Sequence, residues 1–380
     1  MRRKYRIDFG NPVVDEETKL AIKEVVDSEW LSEGPRVRRF EEEWGNKFGY
    51  KHNAAMNSGT SADIAACASL ESRGAQPGDE IISPALAFVA VGNSIRAAGF
   101  KPVFVDVEPT TMNINPDKIE EKITSKTRAI MAVHTMGKPC DMDSIMEIAK
   151  NHNLAVIEDS CESHGAQYKG KYIGSFGDIA TFSFYAAHLV WAVEGGMAST
   201  NNPDLHLALQ SARNHGREPG NLYFQHDRFG LNLRMIDLTA SIALTDLKKF
   251  DKTFKKRKEN LHYLLDATKS LQEYAIFNIE EEHEIVAPHA FSVLMKDKVK
   301  ANGKDLIDFL EERGIQTKRN FGSMPTQHKS FAYLGHKLGE FPAAEYIGDK
   351  GVHFGIHQKL TKKDLDYAAE TLHDYFRRFK

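Results

Sequence analysis

Between about residues 54 and 200 the chain repeats a single alternation, in which a short apolar run follows a stretch of helical periodicity. The clearest apolar runs are 80–83, 102–106, 128–133, 154–159 and 179–184, with helical segments such as 61–72 and 142–152 between them. Strands that alternate with helices read as a parallel sheet in an α/β architecture. No Gly/Ser linker, low-complexity tract or repeat interrupts the alternation, so the pattern predicts one continuous domain.

Residues 234–275 change character and become helical and rich in lysine, with Leu238, Ile242, Leu244, Leu247 and Phe250 on an apolar face. Acidic residues are interspersed, so a solvated helix face explains the lysines better than a nucleic-acid patch does. Beyond residue 285 the order of strand (290–295), helix (304–313) and closing helix (363–377) predicts a smaller α+β domain. The expected division is a large domain over 1–250, including the N-terminal segment, and a small one over 251–380. The 380 residues suffice for two such cores. With 50 Lys+Arg against 53 Asp+Glu there is no global basic field for nucleic acid or an anionic membrane, which directs attention to a small-molecule partner. Three cysteines without metal-site spacing suggest neither a disulfide framework nor a metal site. The opening MRRKYRIDFGNP has no apolar run behind its basic residues, and a mean hydropathy of −0.45 agrees with a cytoplasmic protein without a signal peptide.

Three elements carry chemistry. Asn57-Ser58-Gly59-Thr60-Ser61-Ala62 stands before an alanine-rich helix and offers small residues and free backbone N–H groups at a helix N-terminus, the geometry that binds phosphate. An ordinary N-cap reads the same way. Asp159 ends an apolar strand, where open α/β sheets place their ligands, although a carboxylate there also caps turns. Phe182-Ser183-Phe184-Tyr185-Ala186-Ala187-His188, followed by Glu194-Gly195-Gly196, has the layout of a reactive loop, although a lone His is more often structural.

Taken in order, Ser58-Gly59-Thr60, Pro84-Ala85-Leu86-Ala87-Phe88, Phe104-Val105-Asp106, Ile157-Glu158-Asp159, the 174–178 run Gly-Ser-Phe-Gly-Asp, Phe182-Ser183-Phe184-Tyr185, Glu194-Gly195-Gly196 and the 230–235 run Gly-Leu-Asn-Leu-Arg-Met resemble the DegT/DnrJ/EryC1/StrS sugar aminotransferases. The resemblance runs from Gly34-Pro35-Arg36-Val37 to the C-terminal segment. It implies the type I, aspartate aminotransferase fold, with a mostly parallel mixed sheet in the large domain, and a pyridoxal 5'-phosphate (PLP) cofactor. Gly59, Thr60 and Ser183 correspond to phosphate anchors, Phe88 to the aromatic that stacks on the cofactor ring, and Asp159 to the carboxylate that keeps the pyridine nitrogen protonated. Asn232 resembles a residue that reaches the phosphate of the neighbouring subunit, which implies a homodimer with shared active sites.

One position departs from the aminotransferase pattern. Most members carry the Schiff-base lysine three residues after Tyr185, where this chain has His188. Imidazole does not make that bond, so the cofactor would be held noncovalently, as PLP or as pyridoxamine 5'-phosphate (PMP). A histidine can still work as acid and base, with an unperturbed pKa of about 6.5. The exchange resembles the sugar 3-dehydratase branch of the family. Three scattered cysteines cannot supply the four thiolates of an iron–sulfur cluster, so the chain is more similar to the cluster-free enzymes that act on GDP-4-keto-6-deoxy-D-mannose and recharge PMP from glutamate. Glu162, where ordinary aminotransferases carry Gln, belongs with that branch and is assigned to the cofactor, as does the run Gly355-Ile356-His357-Gln358. Phe88 in place of Trp, the bulky Trp191, and the absence of a second His beside His188 depart from it and bear on the substrate. His215, in Arg213-Asn214-His215-Gly216, is a substrate contact by analogy or an ordinary loop residue. Cys161 reads as a small hydrophobe.

The expected activity is C3 dehydration of a nucleotide-linked 4-keto-6-deoxy sugar, with His188 and Asp159 as catalytic residues and glutamate as the amino donor. An ordinary nucleotide-sugar aminotransferase in which His188 is an engineered replacement of the catalytic lysine, and a non-catalytic binding or regulatory protein on the same fold, are the alternative readings.

Overall fold

The computed structural model describes residues 5–10, 12–220 and 225–379. Strands β1 (His52–Met56), β2 (Glu80–Pro84), β3 (Lys101–Val105), β4 (Thr127–Val133) and β5 (Ala155–Asp159) are followed by a short hairpin, β6 (Gln167–Tyr168) and β7 (Lys171–Tyr172). After the hairpin come β8 (Ile179–Ser183) and β9 (Gly196–Thr200). Seven of these form one sheet in the order β1-β9-β8-β5-β4-β2-β3, in which β9 alone runs against its neighbours. Side chains on alternate positions enter two different cores: Ala129 and Met131 of β4 pack on one face, Ile130 and Ala132 on the other. Both faces are covered, which is why the strands read as unbroken apolar runs.

The remaining strands are β10 (Ala275–Phe277), β11 (Glu284–Ile285), β12 (Ala290–Met295), β13 (Thr317–Arg319) and β14 (Gly351–Gly355). Four of them make an antiparallel sheet, β10-β12-β14-β13, while β11 joins the β6–β7 hairpin. The antiparallel sheet packs on a third apolar core, which contains Phe291, Phe354 and Tyr375 from the C-terminal part and also Ile7 from the N-terminal segment. Ile7 bridges to Ile315.

The continuous helix expected over 234–275 is two helices, Asp237–Leu247 and Phe250–Ala267. The step at Lys248 and Lys249 turns Phe250 into the second core, while Lys249 pairs with Asp15 at 2.6 Å. The longer helix is also less of a solvated face than its lysines suggest, because Arg257 (4% exposed) and Asn260 (0%) are buried. Among the described residues no helix is long and apolar enough to cross a membrane.

Candidate active site

The reversal at β9 gathers four chain segments at one edge of the sheet. Asp159 ends β5, Ser183 ends β8, Gly196 begins β9, and β1 leads from Met56 into the helix Gly59–Ser69. Ser183 and Met56 are both register partners of Gly196. The carboxyl ends of parallel strands are where such sheets hold ligands. A cavity of about 590 Å³ opens there, within the size range of small-molecule sites.

Ser58 caps the helix by accepting from the Ser61 amide at 3.1 Å, and Ser61 Oγ donates to Asn57 Oδ1 at 2.5 Å. Gly59 and Thr60, in the first turn, line the cavity with amides that no helical carbonyl can satisfy. A Cβ on Gly59 would lie 2.6 Å from Ser183 Cβ, and one on Gly196 would lie 2.1 Å from the Ser58 carbonyl oxygen. Glycine at both positions is what lets the helix start, β8 and β9 close into an anion-binding cradle.

On the floor, Asp159 is 6% exposed and its Oδ1 accepts from the Cys161 amide at 3.0 Å. Burial holds its carboxyl above the ordinary range. Its neighbour Glu158 points away from the cavity and accepts from the amides of Gly174, Phe176 and Gly177 at 2.6–2.9 Å, which accounts for the Gly-Ser-Phe-Gly motif as a structural loop. Glu162 Oε2 accepts from the Met136 amide at 2.8 Å, and burial pushes its carboxyl up to about 7, with the Asp159 charge adding to the shift.

His188 sits in the 184–195 connection. Its carbonyl and that of Ala187 accept from the buried Arg257 at 3.3 and 3.2 Å, and Arg257 also holds Gln358 Oε1 at 2.9 Å. This clamp fixes the loop from the far helix and gives the His357-Gln358 run a structural role. The side chain lines the cavity, and its Nδ1 is buried without a hydrogen-bond partner. Burial, with the positive charges of Arg257 and Lys318, lowers the imidazole to about 3, so near neutral pH it is uncharged. The ordinary value of about 6.5 on which the acid–base expectation started does not hold in this surrounding.

Of the residues singled out in the sequence, Gly59, Thr60, Phe88, Asp159, Glu162, Ser183 and His188 all line this cavity. Phe88 is 61% exposed, so its ring is open to a stacking partner. Asn232 and His215 are exposed and do not line it. Asp63, His289 and Lys318 line it and were missed in the sequence. Asp63 carried a readable signal, a carboxylate four residues after Gly59 in a helix otherwise built of small and apolar side chains.

A family model, the DegT/DnrJ/EryC1/StrS aminotransferase family, matches residues 12–373. The chain belongs to this family. Its relatives divide by chemistry. A GDP-perosamine synthase of Caulobacter vibrioides is 34% identical over 372 residues, covering 97% of each chain. A dTDP-4-dehydro-2,6-dideoxy-D-glucose 3-dehydratase of Saccharopolyspora spinosa is 32% identical over 393 residues, covering 96% of this chain and 85% of that one. Among solved structures, E. coli GDP-4-keto-6-deoxy-D-mannose-3-dehydratase with bound hydrated PLP is 26% identical, with TM-score 0.87 over 97% of this chain and 99% of the other. The family is PLP-dependent with the aminotransferase fold, and its members include sugar aminotransferases and sugar dehydratases. The cavity of this chain suits that cofactor: the first-turn amides of Gly59 and Thr60, the Ser183 hydroxyl and the buried Asp159 carboxyl all line it.

Proposed function

We propose that this chain is a 3-dehydratase of a nucleotide-linked 4-keto-6-deoxy sugar. The observation that carries the reading is His188, an uncharged imidazole with a buried, unpartnered Nδ1 in the place where the family's aminotransferases hold their lysine.

The cofactor, when bound, supplies a pyridinium ring that stabilises negative charge on the carbon attached to it. The residues of the chain do the rest. Gly59, Thr60 and Ser183 bind the phosphate through free amides and a hydroxyl. Phe88 stacks on the ring, and Asp159 holds the proton on its nitrogen. Glu162, held by the Met136 amide, would help orient the ring. His188 would take up the proton released at C4′ of the cofactor and deliver it to the C3 hydroxyl of the sugar, which would leave as water. Across the cycle glutamate is oxidised to 2-oxoglutarate, the sugar loses its C3 oxygen, and ammonia is released. Asn232, exposed and outside the cavity of its own chain, completes the phosphate site of a partner subunit in a homodimer. The substrate class rests on the relatives, whose names include GDP- and dTDP-linked sugars.

The test is to add glutamate and then the keto sugar to PLP-loaded protein. Release of 2-oxoglutarate, a shift of the absorbance to that of the amine form, and a 3-deoxy product by mass support the reading. A 4-amino sugar as sole product replaces it with transamination, the reading favoured by the 34% identity to GDP-perosamine synthase. No change on adding glutamate assigns the chain a binding role.

A further inference from the structure

Asp63 projects from the helix Gly59–Ser69 into the cavity floor, where it is 1% exposed. Its Oδ1 accepts from Thr181 Oγ1 on β8 at 2.6 Å. A carboxyl oxygen of Asp63, one of Asp159 and Cys161 Sγ all lie within 4.8 Å of one another. No lysine, arginine or histidine forms an ion pair with either carboxyl among the described residues. The ionisable groups around the pair are His134, whose amide bonds the Asp159 carbonyl, Cys161, Glu162, and Cys67 one turn along the Asp63 helix. None brings a fixed positive charge into contact.

Two buried carboxyls with oxygens within 4.8 Å of one another and no cation in contact disfavour double ionisation, so the pair favours holding one proton. Burial pushes both groups up, Asp63 well above the ordinary range, with the Asp159 charge as the second cause there. We propose that Asp63 and Asp159 form a two-carboxyl unit sharing one proton, and that this unit passes the proton to the ring nitrogen when the cofactor binds. In the transfer the carboxyl O–H bond breaks and an N–H bond forms. Both carboxylates are then ionised against a pyridinium, and the net charge of the site is unchanged. The inference rests on Asp159 lying beneath the ring and assigns Asp63 as a positioning residue that supplies the proton.

The test is calorimetric titration of the cofactor-free protein with pyridoxamine 5'-phosphate in two buffers of different ionisation enthalpy. It is run above the pH at which the free cofactor's ring nitrogen loses its proton. The parent is expected to take up about zero protons from solvent, and Asp63→Asn about one, because Asp159 then binds alone and ionised. Asp63→Asn keeps an acceptor for Thr181, and Thr181→Val controls for a purely structural effect; it should retain the proton count of the parent. Equal uptake in parent and Asp63→Asn, or a Thr181→Val variant that behaves as Asp63→Asn does, overturns the proposal. Asp159→Asn separates it from the site reading. That variant should lose the absorbance of the protonated ring, and if it does not, the placement of Asp159 fails and the proposal with it. A changed spectrum in Asp159→Asn together with equal uptake in Asp63→Asn removes Asp63 alone.

Discussion

The rings of His188 and His289 face one another with centroids 5.3 Å apart and planes tilted by 37°. His289 Nε2 in turn lies 3.5 Å from Glu162 Oε1, so base, second imidazole and carboxyl form a row along one wall of the cavity. Burial drives both imidazoles toward the neutral form and Glu162 toward the protonated form. Both imidazoles are therefore neutral near neutral pH, and Glu162 is the group of the row that changes charge there.

The first prediction follows from that state of His188. His188→Asn should retain cofactor affinity, because Gly59, Thr60, Ser183 and Asp159 bind without it. Turnover to the 3-deoxy sugar should fall about 10²–10⁴-fold, the usual worth of a positioned proton-transfer group. His188→Lys restores a primary amine and should attach PLP covalently, visible as a mass increase after borohydride reduction, while dehydration is lost. Parental turnover in His188→Asn removes His188 from the mechanism.

The same residue makes a prediction about stability. Its folded pKa of about 3 lies below the ordinary value of about 6.5, so between those limits the unfolded chain binds a proton that the folded chain does not. Folding stability contributed at this site falls as pH falls through that window. An Asn at 188 lacks the penalty, so the melting temperature of His188→Asn relative to the parent should rise between about pH 7.5 and about pH 5. A difference independent of pH contradicts the buried, uncharged state.

Glu162 titrates at about 7 and accepts from the Met136 amide, a bond that Gln can also accept. Glu162→Gln should therefore fold normally and lose the titration. The pH profile of turnover should flatten between about pH 6 and about pH 8 in the variant, compared with the parent. Superimposable profiles assign the limb to another group.

Arg257 reaches the His188 loop from a helix about seventy positions away in sequence. Arg257→Met removes the donors for two carbonyls and for Gln358, and leaving buried acceptors unpaired costs about 1–3 kcal/mol. The variant should melt earlier and lose kcat more than it raises KM, because the loop that carries the base loosens. Unchanged kcat at a lowered melting temperature confines Arg257 to structure.

These residues also mark what was legible before the fold was known. Strands β2 to β5 and β8 are rich in Ile, Val and Phe, and their ends place Asp159 and Ser183 without further information. Strands β1 (His-Asn-Ala-Ala-Met) and β9 (Gly-Met-Ala-Ser-Thr) lack β-branched apolar residues and owe their form to tertiary pairing, β9 between β1 and β8 and β1 against β9. The reversal at β9, which turns the 184–195 loop over the site, was invisible for that reason. The motif residues Gly59, Asp159, Ser183 and His188 sit next to readable strand or helix ends and converge as expected. Arg257 and His289 come from distant segments whose local pattern is an ordinary helix and an ordinary strand start, and only packing brings them to His188.

The last prediction concerns Asn232. It is exposed, pairs with Asn214 across an isolated bridge, accepts from Asn57 Nδ2 at its carbonyl (3.4 Å) and from Arg234 Nε at its Oδ1 (3.1 Å), and lies beside the exposed apolar residues Leu231 (39%) and Ile236 (41%), outside the cavity of its own chain. If it completes the phosphate site of a partner, defects at 188 and 232 fall in different sites when they come from different subunits. Each of His188→Asn and Asn232→Ala should be impaired as a homodimer. In a mixed dimer, one site carries both defects and the other carries neither. Equal mixing by unfolding and refolding, or by coexpression, should therefore restore about a quarter of the parental turnover, since half the dimers are mixed and each has one intact site. If Asn232 serves its own chain, every site in the mixed dimer holds one defect and nothing is restored. The recovered fraction, measured against the unmixed variants at equal concentration, decides between a shared site and a self-contained one.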